Sequence, residues 1–351
     1  MKELFMIKSK VFTKLVETGY ETYVVGGAVR DALLGKPSRD IDIACAISED
    51  ALRSVFTRVV AIGREKQSYL VFHQGERAEV TLMVDTPIEE DLKRRDFTVN
   101  AIAAAGSVLI DPFNGQRALK EKRLSQVTSQ SFIHDPIRLL RAVRMEQQLD
   151  VTMDAKTFSS FVENRELLFT ASKERIIQEL LKLRNEIKHS SRVLELLETL
   201  GFAVSEEFAP QLIKIAQRSD TSFLAVLLTD KRRVSLLPKK LKQRVLLYHA
   251  YVERVPTSID LLRLNREEVR DVSFLRELRG SKTNLLDQYD RLPIKDIGDL
   301  SVTGLDLIQA GVEQGPEIAH VKTQLLIRIL NGKLNNEKET LLRFVKQEMI
   351  T

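Results

Sequence analysis

The sequence predicts a small α+β head, a mixed β-sheet with helices, followed by an all-α remainder. Two patterns carry this reading. Residues 22–110 hold short apolar or alternating runs of strand length, separated by Gly, Pro, Asn and Ser. Beyond about residue 190 the apolar positions recur at helical spacing throughout. The 351 residues suffice for two or more domains, and at 43% apolar they can bury sizeable cores.

Residues 5–18 read as an amphipathic helix. The run 23–25 reads as a buried strand that ends in Gly26-Gly27, and 28–34 reads as a helix. Paired glycines let the backbone turn sharply and approach a ligand closely. The N–H groups that open the next helix point outward and suit a phosphate. After a loop with Gly35, Pro37 and Ser38, residues 40–44 read as a second strand. Residues two apart on a strand share a face, so Asp40 and Asp42 point one way while Ile41 and Ile43 face the core. Parallel carboxylates beside a phosphate-binding turn make a magnesium site for phosphoryl or nucleotidyl transfer. A lone D-x-D is more often a strand with one polar face. The Gly-Gly turn and Arg30-Asp31 at this spacing favour the metal reading.

Next, 49–56 reads as a helix with Ser48 as N-cap. Three strands are predicted at 58–62, 69–73 and 78–84, with a hairpin turn at 74–76 between the last two. The expected sheet carries its helices on one side. Glu79 alternates with apolar neighbours. It either supplies a third acidic group near Asp40 and Asp42 or faces solvent as an ordinary strand residue, and the sequence leaves both open. Residues 102–105 and 108–110 read as strands, followed by the turn DPFNG and a helix from about Gln116.

In HDPIRLLRAVR, Pro136 belongs near a helix's first turn, so a helix is expected to start near Asp135. Asp135, Arg138, Arg141 and Arg144 then share one face. An Asp–Arg pair matches cytosine fully: the carboxylate accepts from the N4 amine and the guanidinium donates to N3 and O2. Adenine matches in part. Uracil presents the wrong groups, and each buried unpaired polar group costs roughly 1–3 kcal/mol. Residues 173–183 read as a helix in which Arg175 and Glu179 are spaced to pair. Further helices are expected at 193–200, 210–217, 221–229, 238–251, 257–276, 302–312, 314–331 and 336–349.

Composition sets outer limits. The single Cys45 excludes an internal disulfide and a Cys-rich zinc site, and it is expected in the core. The five histidines are scattered. A net charge of +5 agrees with a polyanionic partner. With no signal peptide and no apolar run near about eighteen residues, the chain reads as soluble and cytoplasmic, without a membrane partner.

The run VVGGAVRDALLG followed by RDIDIA resembles the signature of class II tRNA nucleotidyltransferases, the family of CCA-adding enzymes and bacterial poly(A) polymerases. DLKRRDFTVNA, the D-P-F-x-G turn, HDPIRLLRAVR and KERIIQELLKL are similar to further motifs of that family. The resemblance covers the first half specifically, and the rest only in length and helical character. It implies an elongated molecule: a nucleotidyltransferase head at 1–125, a helical neck with a nucleobase template at 126–190, a helical body at 191–285 and a tail at 286–351.

It also implies a chemistry. An RNA 3′-hydroxyl attacks the α-phosphate of a nucleoside triphosphate and releases pyrophosphate, with Asp40 and Asp42 holding two Mg²⁺ ions. Gly26, Gly27, Arg30 and Arg95 attend the triphosphate, Asp96 and Asn100 the ribose, and Asp135 and Arg138 the base. Arg141 and Arg144 resemble further nucleotide-contacting arginines. The acceptor is tRNA, held at its acceptor arm and elbow by the basic carboxyl-terminal half, with CTP as the nucleotide, joined by ATP in a complete CCA-adding enzyme. Two departures stand out. His134 replaces the family's usual Glu, and only VTLMVDTPIEE lies between Glu79 and Asp91, where the CCA-adding members carry a long polar loop. Loss of that loop resembles the CC-adding members, which leave the terminal adenosine to a partner enzyme. The alternatives are a complete CCA-adding enzyme, a poly(A) polymerase and a non-catalytic RNA-binding protein of the same fold.

Overall fold

A computed structural model of the protein describes residues 9–38, 41–62, 68–203, 206–282 and 284–349. The chain divides into two compact units, Met1–Phe202 and Ala203–Thr351. Among the described residues no helix is long and apolar enough to cross a membrane.

The first unit is built on a seven-stranded sheet: β1 (Thr22–Val25), β2 (Asp42–Cys45), β3 (Arg58–Ile62), β4 (Ser68–His73), β5 (Glu76–Leu82), β6 (Ala103–Ala105) and β7 (Val108–Ile110). Their spatial order is β3-β4-β5-β2-β1-β6-β7. Among the described strands of this sheet only β2 and β5 pair in parallel, which places Glu79 directly beside Asp42. The β4–β5 hairpin turns at Gln74 and Gly75, both at positive φ, the signature of a turn that matches strand twist.

Helices α1 (Lys10–Glu17), α2 (Gly27–Leu33) and α3 (Glu49–Val55) pack on one face. Val11, Leu15 and Leu52 meet Ile43, Cys45, Val71 and Val80 there, and Ala28 and Val29 meet Val24 and Ala104. Contrary to expectation, the helices are not confined to one side. On the other face α4 (Ile88–Lys93) sets Ile88 and Leu92 against Tyr23, Val25, Ala44 and Ala103. The reason is that β1 is buried along its whole length, so it needs cover on both faces. Next come α5 (Gly115–Lys120), β8 (Arg123–Leu124), α6 (Ser131–His134), α7 (Arg138–Leu149), β9 (Thr152–Met153), α8 (Ala155–Glu163), α9 (Lys173–Arg184) and α10 (Ser190–Thr199).

The helix expected from Asp135 begins three residues later, at Arg138. Asp135 is extended (φ −145°, ψ 96°) and caps the end of α6, because the residue before a proline is pushed out of the helical region. Asp135 therefore reaches the site from a bend, while Arg138, Arg141 and Arg144 do share a face of α7.

The second unit is helical: α11 (Leu212–Ala216), α12 (Asp220–Leu227), α13 (Lys231–Val234), α14 (Lys239–Glu253), α15 (Ser258–Leu261), α16 (Arg266–Leu278), α17 (Leu285–Asp290), α18 (Gly304–Gln309), α19 (Pro316–Leu330) and α20 (Lys338–Glu348). The single helix expected at 257–276 is two, α15 and α16. Each opens with a capping box, Thr257 with Asp260 and Asn265 with Glu268, and the second stops the first from running through. Substituting Asn265→Ala should lower stability by about 1 kcal/mol, read by urea or thermal denaturation. No change would mean that the cap does not hold α16.

Candidate active site

The site begins at the turn after β1. Gly26 sits at φ +73°, and a Cβ built on it would lie 2.5 Å from Arg95 Nη1 and 3.3 Å from Asp42 Oδ2. Glycine is required there twice, for backbone conformation and for close approach. The Gly26 N–H donates to the Ile102 carbonyl at 3.1 Å, which ties the turn to the strand that follows Asn100.

Around this turn lies an open cavity of about 770 Å³. It gathers every sequence-predicted site residue that is described: Gly26, Gly27, Arg30, Asp42, Glu79, Arg95, Asp96, Asn100, Asp135, Arg138, Arg141 and Arg144. Asp40 lies outside the described residues. The cavity also draws in Ser68, Thr81, Asp91, Arg94, Met145 and Gln148, which sequence reasoning missed. Two of these carry a legible signal: Asp91 and Gln148 stand four residues from Arg95 and Arg144, and both pairs are bonded.

Asp42 and Glu79 form the acidic wall. Burial pushes the Glu79 carboxyl up, and the neighbouring Asp42 charge pushes it further, with Ser68 and Arg95 opposing. This resolves where Glu79 points: it lines the cavity beside Asp42. Among the described residues no three His, Cys, Asp or Glu side chains converge to hold a metal.

Opposite stands a buried polar chain. Arg30, only 6% exposed, donates to Asn100 Oδ1 at 2.6 Å and pairs with Asp31 at 2.7 Å. Asn100 Nδ2 donates to Asp96 Oδ1 at 2.9 Å, and the Phe97 N–H joins it at 2.8 Å. Arg141 closes the chain, 2.7 Å from Asp96 Oδ2. Burial alone would raise the Asp96 pKa. Arg141, Asn100, the Phe97 amide and Arg138 together hold it below the usual carboxylate value.

Arg138 is fixed without a carboxylate neighbour at position 134. Its guanidinium donates to Ser131 Oγ at 2.9 Å and to the Arg94 and Arg95 carbonyls at 2.5 and 3.4 Å. His134 is exposed at the end of α6. The spacing-based pair of Arg175 with Glu179 is absent among the contacts of either residue. Each instead bonds to the α6–α7 segment: Arg175 reaches Asp135 at 2.8 Å, and Glu179 reaches Arg144 at 2.5 Å. Helix α9 thus braces both ends of the arginine face.

In the second unit, the basic stretches separate into two groups. Arg266, Arg270 and Arg276 are paired internally, with Asp290, Glu267 and the Tyr251 and Val252 carbonyls. Lys239 and Lys240 are exposed, and Lys240 lines a groove of about 990 Å³ with Arg263 and with Arg244, which is itself bonded to Glu268 and the Arg263 carbonyl.

A glycine turn, an in-register acidic pair and an arginine-lined cavity define the site of an enzyme that handles a phosphorylated nucleotide. Comparison with known proteins agrees. Residues 22–85 and 76–125 match the family described as Poly A polymerase head domain, and residues 231–345 match tRNA nucleotidyltransferase domain 2. The CCA-adding enzyme of Lacticaseibacillus paracasei is 30% identical over 372 aligned positions, covering 95% of this chain and 94% of that protein. The crystal structure of the Bacillus stearothermophilus CCA-adding enzyme in complex with CTP is 28% identical, with a TM-score of 0.72 over 98% of this chain and 97% of that one. The Thermotoga maritima CCA-adding enzyme complexed with tRNA shares the fold, with a TM-score of 0.62 at 23% identity, over 95% and 93% of the two chains. The chain belongs to the class II tRNA nucleotidyltransferase family and is an RNA nucleotidyltransferase.

The Asp96 network makes a pH-dependent prediction. A carboxyl whose folded pKa lies below its unfolded value stabilises fully above the ordinary carboxylate range, and the contribution is lost as pH falls through the depressed value. Asp96→Asn should cost roughly 3 kcal/mol at neutral pH, and the gap to wild type should shrink below about pH 4. Urea denaturation across pH checks this, and a pH-independent gap would contradict it.

Proposed function

We propose that this enzyme adds two cytidines from CTP to the 3′ end of tRNA and stops. The observation that carries the CC-only reading is the β5–α4 connection, which consists of five residues, 83–87. The family's long loop has no room in it. The alignment with the Lacticaseibacillus paracasei enzyme runs over 372 positions, more than the 351 residues of this chain, so that relative carries residues with no counterpart here.

Asp40 and Asp42 would hold two Mg²⁺ ions. The donor set fits a hard divalent cation: Glu79, its ionisation opposed by burial and by Asp42, leaves acidic oxygens that a cation would relieve. Bound there, Mg²⁺ supplies a lowered pKa for the 3′-hydroxyl and neutralises the triphosphate. The Gly26–Gly27 turn and Arg95 receive phosphate oxygens at close range. Asp96 and Asn100 sit at the sugar, and Arg30, itself buried, orients Asn100. Asp135 and Arg138 read the base: Arg175 holds the first and the Ser131–Arg94–Arg95 cradle the second, and an acceptor beside donors matches cytosine's N4 amine, N3 and O2. Arg141 and Arg144 extend the arginine face behind it.

The segments 1–125, 126–190, 191–285 and 286–351 then divide the work as head, templating neck, body and tail. Lys239, Lys240, Arg244 and Arg263 suit the phosphates of the tRNA acceptor arm and elbow. ATP addition falls to a separate adenosine-adding enzyme in the cytoplasm. A second reading, a complete CCA-adding enzyme, is favoured by the names of the relatives.

Product sequencing tests this. A tRNA transcript lacking its 3′ end, incubated with Mg²⁺, CTP and ATP, should gain C-C only. C-C-A would favour the second reading, and an adenosine ladder would overturn both. Asp42→Ala should abolish transfer, a loss beyond about a thousandfold. In Asp135→Ala and Arg138→Ala, CTP-over-UTP preference should fall about tenfold or more, read as the ratio of kcat/KM. Unchanged preference in both would sink the template assignment.

A further inference from the structure

The sheet carries a second surface at the same carboxylates. One face of β3, β4 and β5 packs Val59, Tyr69, Val71, Ala78 and Val80 into the core. The opposite face is exposed or half-buried, and strand register sets its side chains in rows. Arg58, Phe72 and Arg77 make one row. Val60, Leu70 and Glu79 make the next, which continues to Asp42. The rows lie about 7 Å apart, two residues along a strand. Arg58 and Arg77 are exposed, Val60 is 47% exposed, and the Arg58 guanidinium lies over the Phe72 ring, 4.3 Å from its centroid.

Asp42 and Glu79 line two cavities. One is the nucleotide cavity described above. The other, about 290 Å³, is formed with Ile41, Leu70 and Arg77 and belongs to this face. In phosphoryl transfer the attacking and leaving oxygens are in line across the phosphorus, so the two substrates approach a shared centre by separate routes. A stacked arginine–aromatic pair flanked by a second arginine has the makeup of a single-strand platform. Bases stack on aromatic rings or guanidinium planes, and phosphates take the remaining charge. An anionic single strand is complementary to this charge, and its end has to arrive at Asp42.

We propose that the Arg58–Phe72–Arg77 row seats the unpaired 3′-terminal nucleotides of the RNA acceptor, with a base stacked on the Arg58–Phe72 pair and a phosphate on Arg77. The terminal 3′-hydroxyl then lies one row on, beside Glu79 and Asp42. This rests on the nucleotidyl-transfer reading and adds to it the acceptor's route of entry.

The test uses the whole 351-residue chain. Arg58→Gln, Arg77→Gln and Phe72→Leu are compared with wild type by anisotropy, using a labelled tRNA transcript lacking its 3′-CCA and no nucleotide. Their KM values for tRNA and for CTP are measured alongside. The two arginines are exposed, so their substitution leaves folding intact. Affinity for the transcript should drop about tenfold, with KM for CTP unchanged. A 4-thiouridine at the last position of the transcript should cross-link to the peptide containing Phe72. Unchanged RNA affinity in all three variants, or cross-links confined to other peptides, would overturn the proposal. If wild type extends no RNA, the transfer reading fails, and the binding and cross-link measurements still decide this one.

Discussion

The contact on which the site depends is the pairing of Asp96 with Arg141. One partner follows the last turn of α4, beside the sheet. The other projects from α7, the helix that carries the arginine face. A carboxylate as buried as Asp96 is tolerated only when its oxygens are bonded and its charge is matched. The Phe97 amide and Asn100 bond to Oδ1, and Arg141 matches the charge at Oδ2 as an ion pair. Asn100 passes the constraint on to Arg30 at the glycine turn. The glycine turn and helix α7 are thereby fixed to one another through side chains.

The same logic governs the cavity's charge. Its arginines are matched by acids or carbonyls drawn from neighbouring elements: Asp91 for Arg95, Glu179 for Arg144, and the Arg94 and Arg95 carbonyls for Arg138. A guanidinium has five donors, so one that is pinned at one edge still offers others to a ligand. Pinning removes the entropy of ordering long side chains at the moment of binding. Helix α9 contributes to this at two points, through Arg175 and Glu179.

Much of this was legible in the sequence. Period-two alternation and the Gly-Gly turn placed β1, β2 and the hairpin, and all described candidate residues lie in one cavity. The sequence left Glu79 undecided because period two says which residues share a face of one strand but not which strand lies beside it. Only the parallel β2–β5 pairing puts Glu79 against Asp42. The partners of Arg175 and Glu179 were misread for a related reason: helical spacing offers an i,i+4 pair, and tertiary packing supplied better acceptors and donors on α6 and α7. The helix start at Asp135 slipped because the restriction a proline places on its preceding residue outweighed its preference for the first turn. In the second unit two capping boxes divided a continuous apolar pattern, which periodicity alone does not detect.

The most direct test of the linked site is a double-mutant cycle on the two ends of the chain, Arg30→Met and Arg141→Met, with CTP affinity measured by calorimetry in the absence of RNA. The two residues are joined through Asn100 and Asp96, and Arg30 also meets the Met145 sulfur, one turn along α7 from Arg141, at 3.7 Å. If that chain holds the phosphate and base subsites in one geometry, each single change weakens CTP binding and the double change weakens it little more than the worse single, a coupling of roughly 1 kcal/mol or more. Losses that simply add would mean that the two subsites are set independently, and would contradict the account.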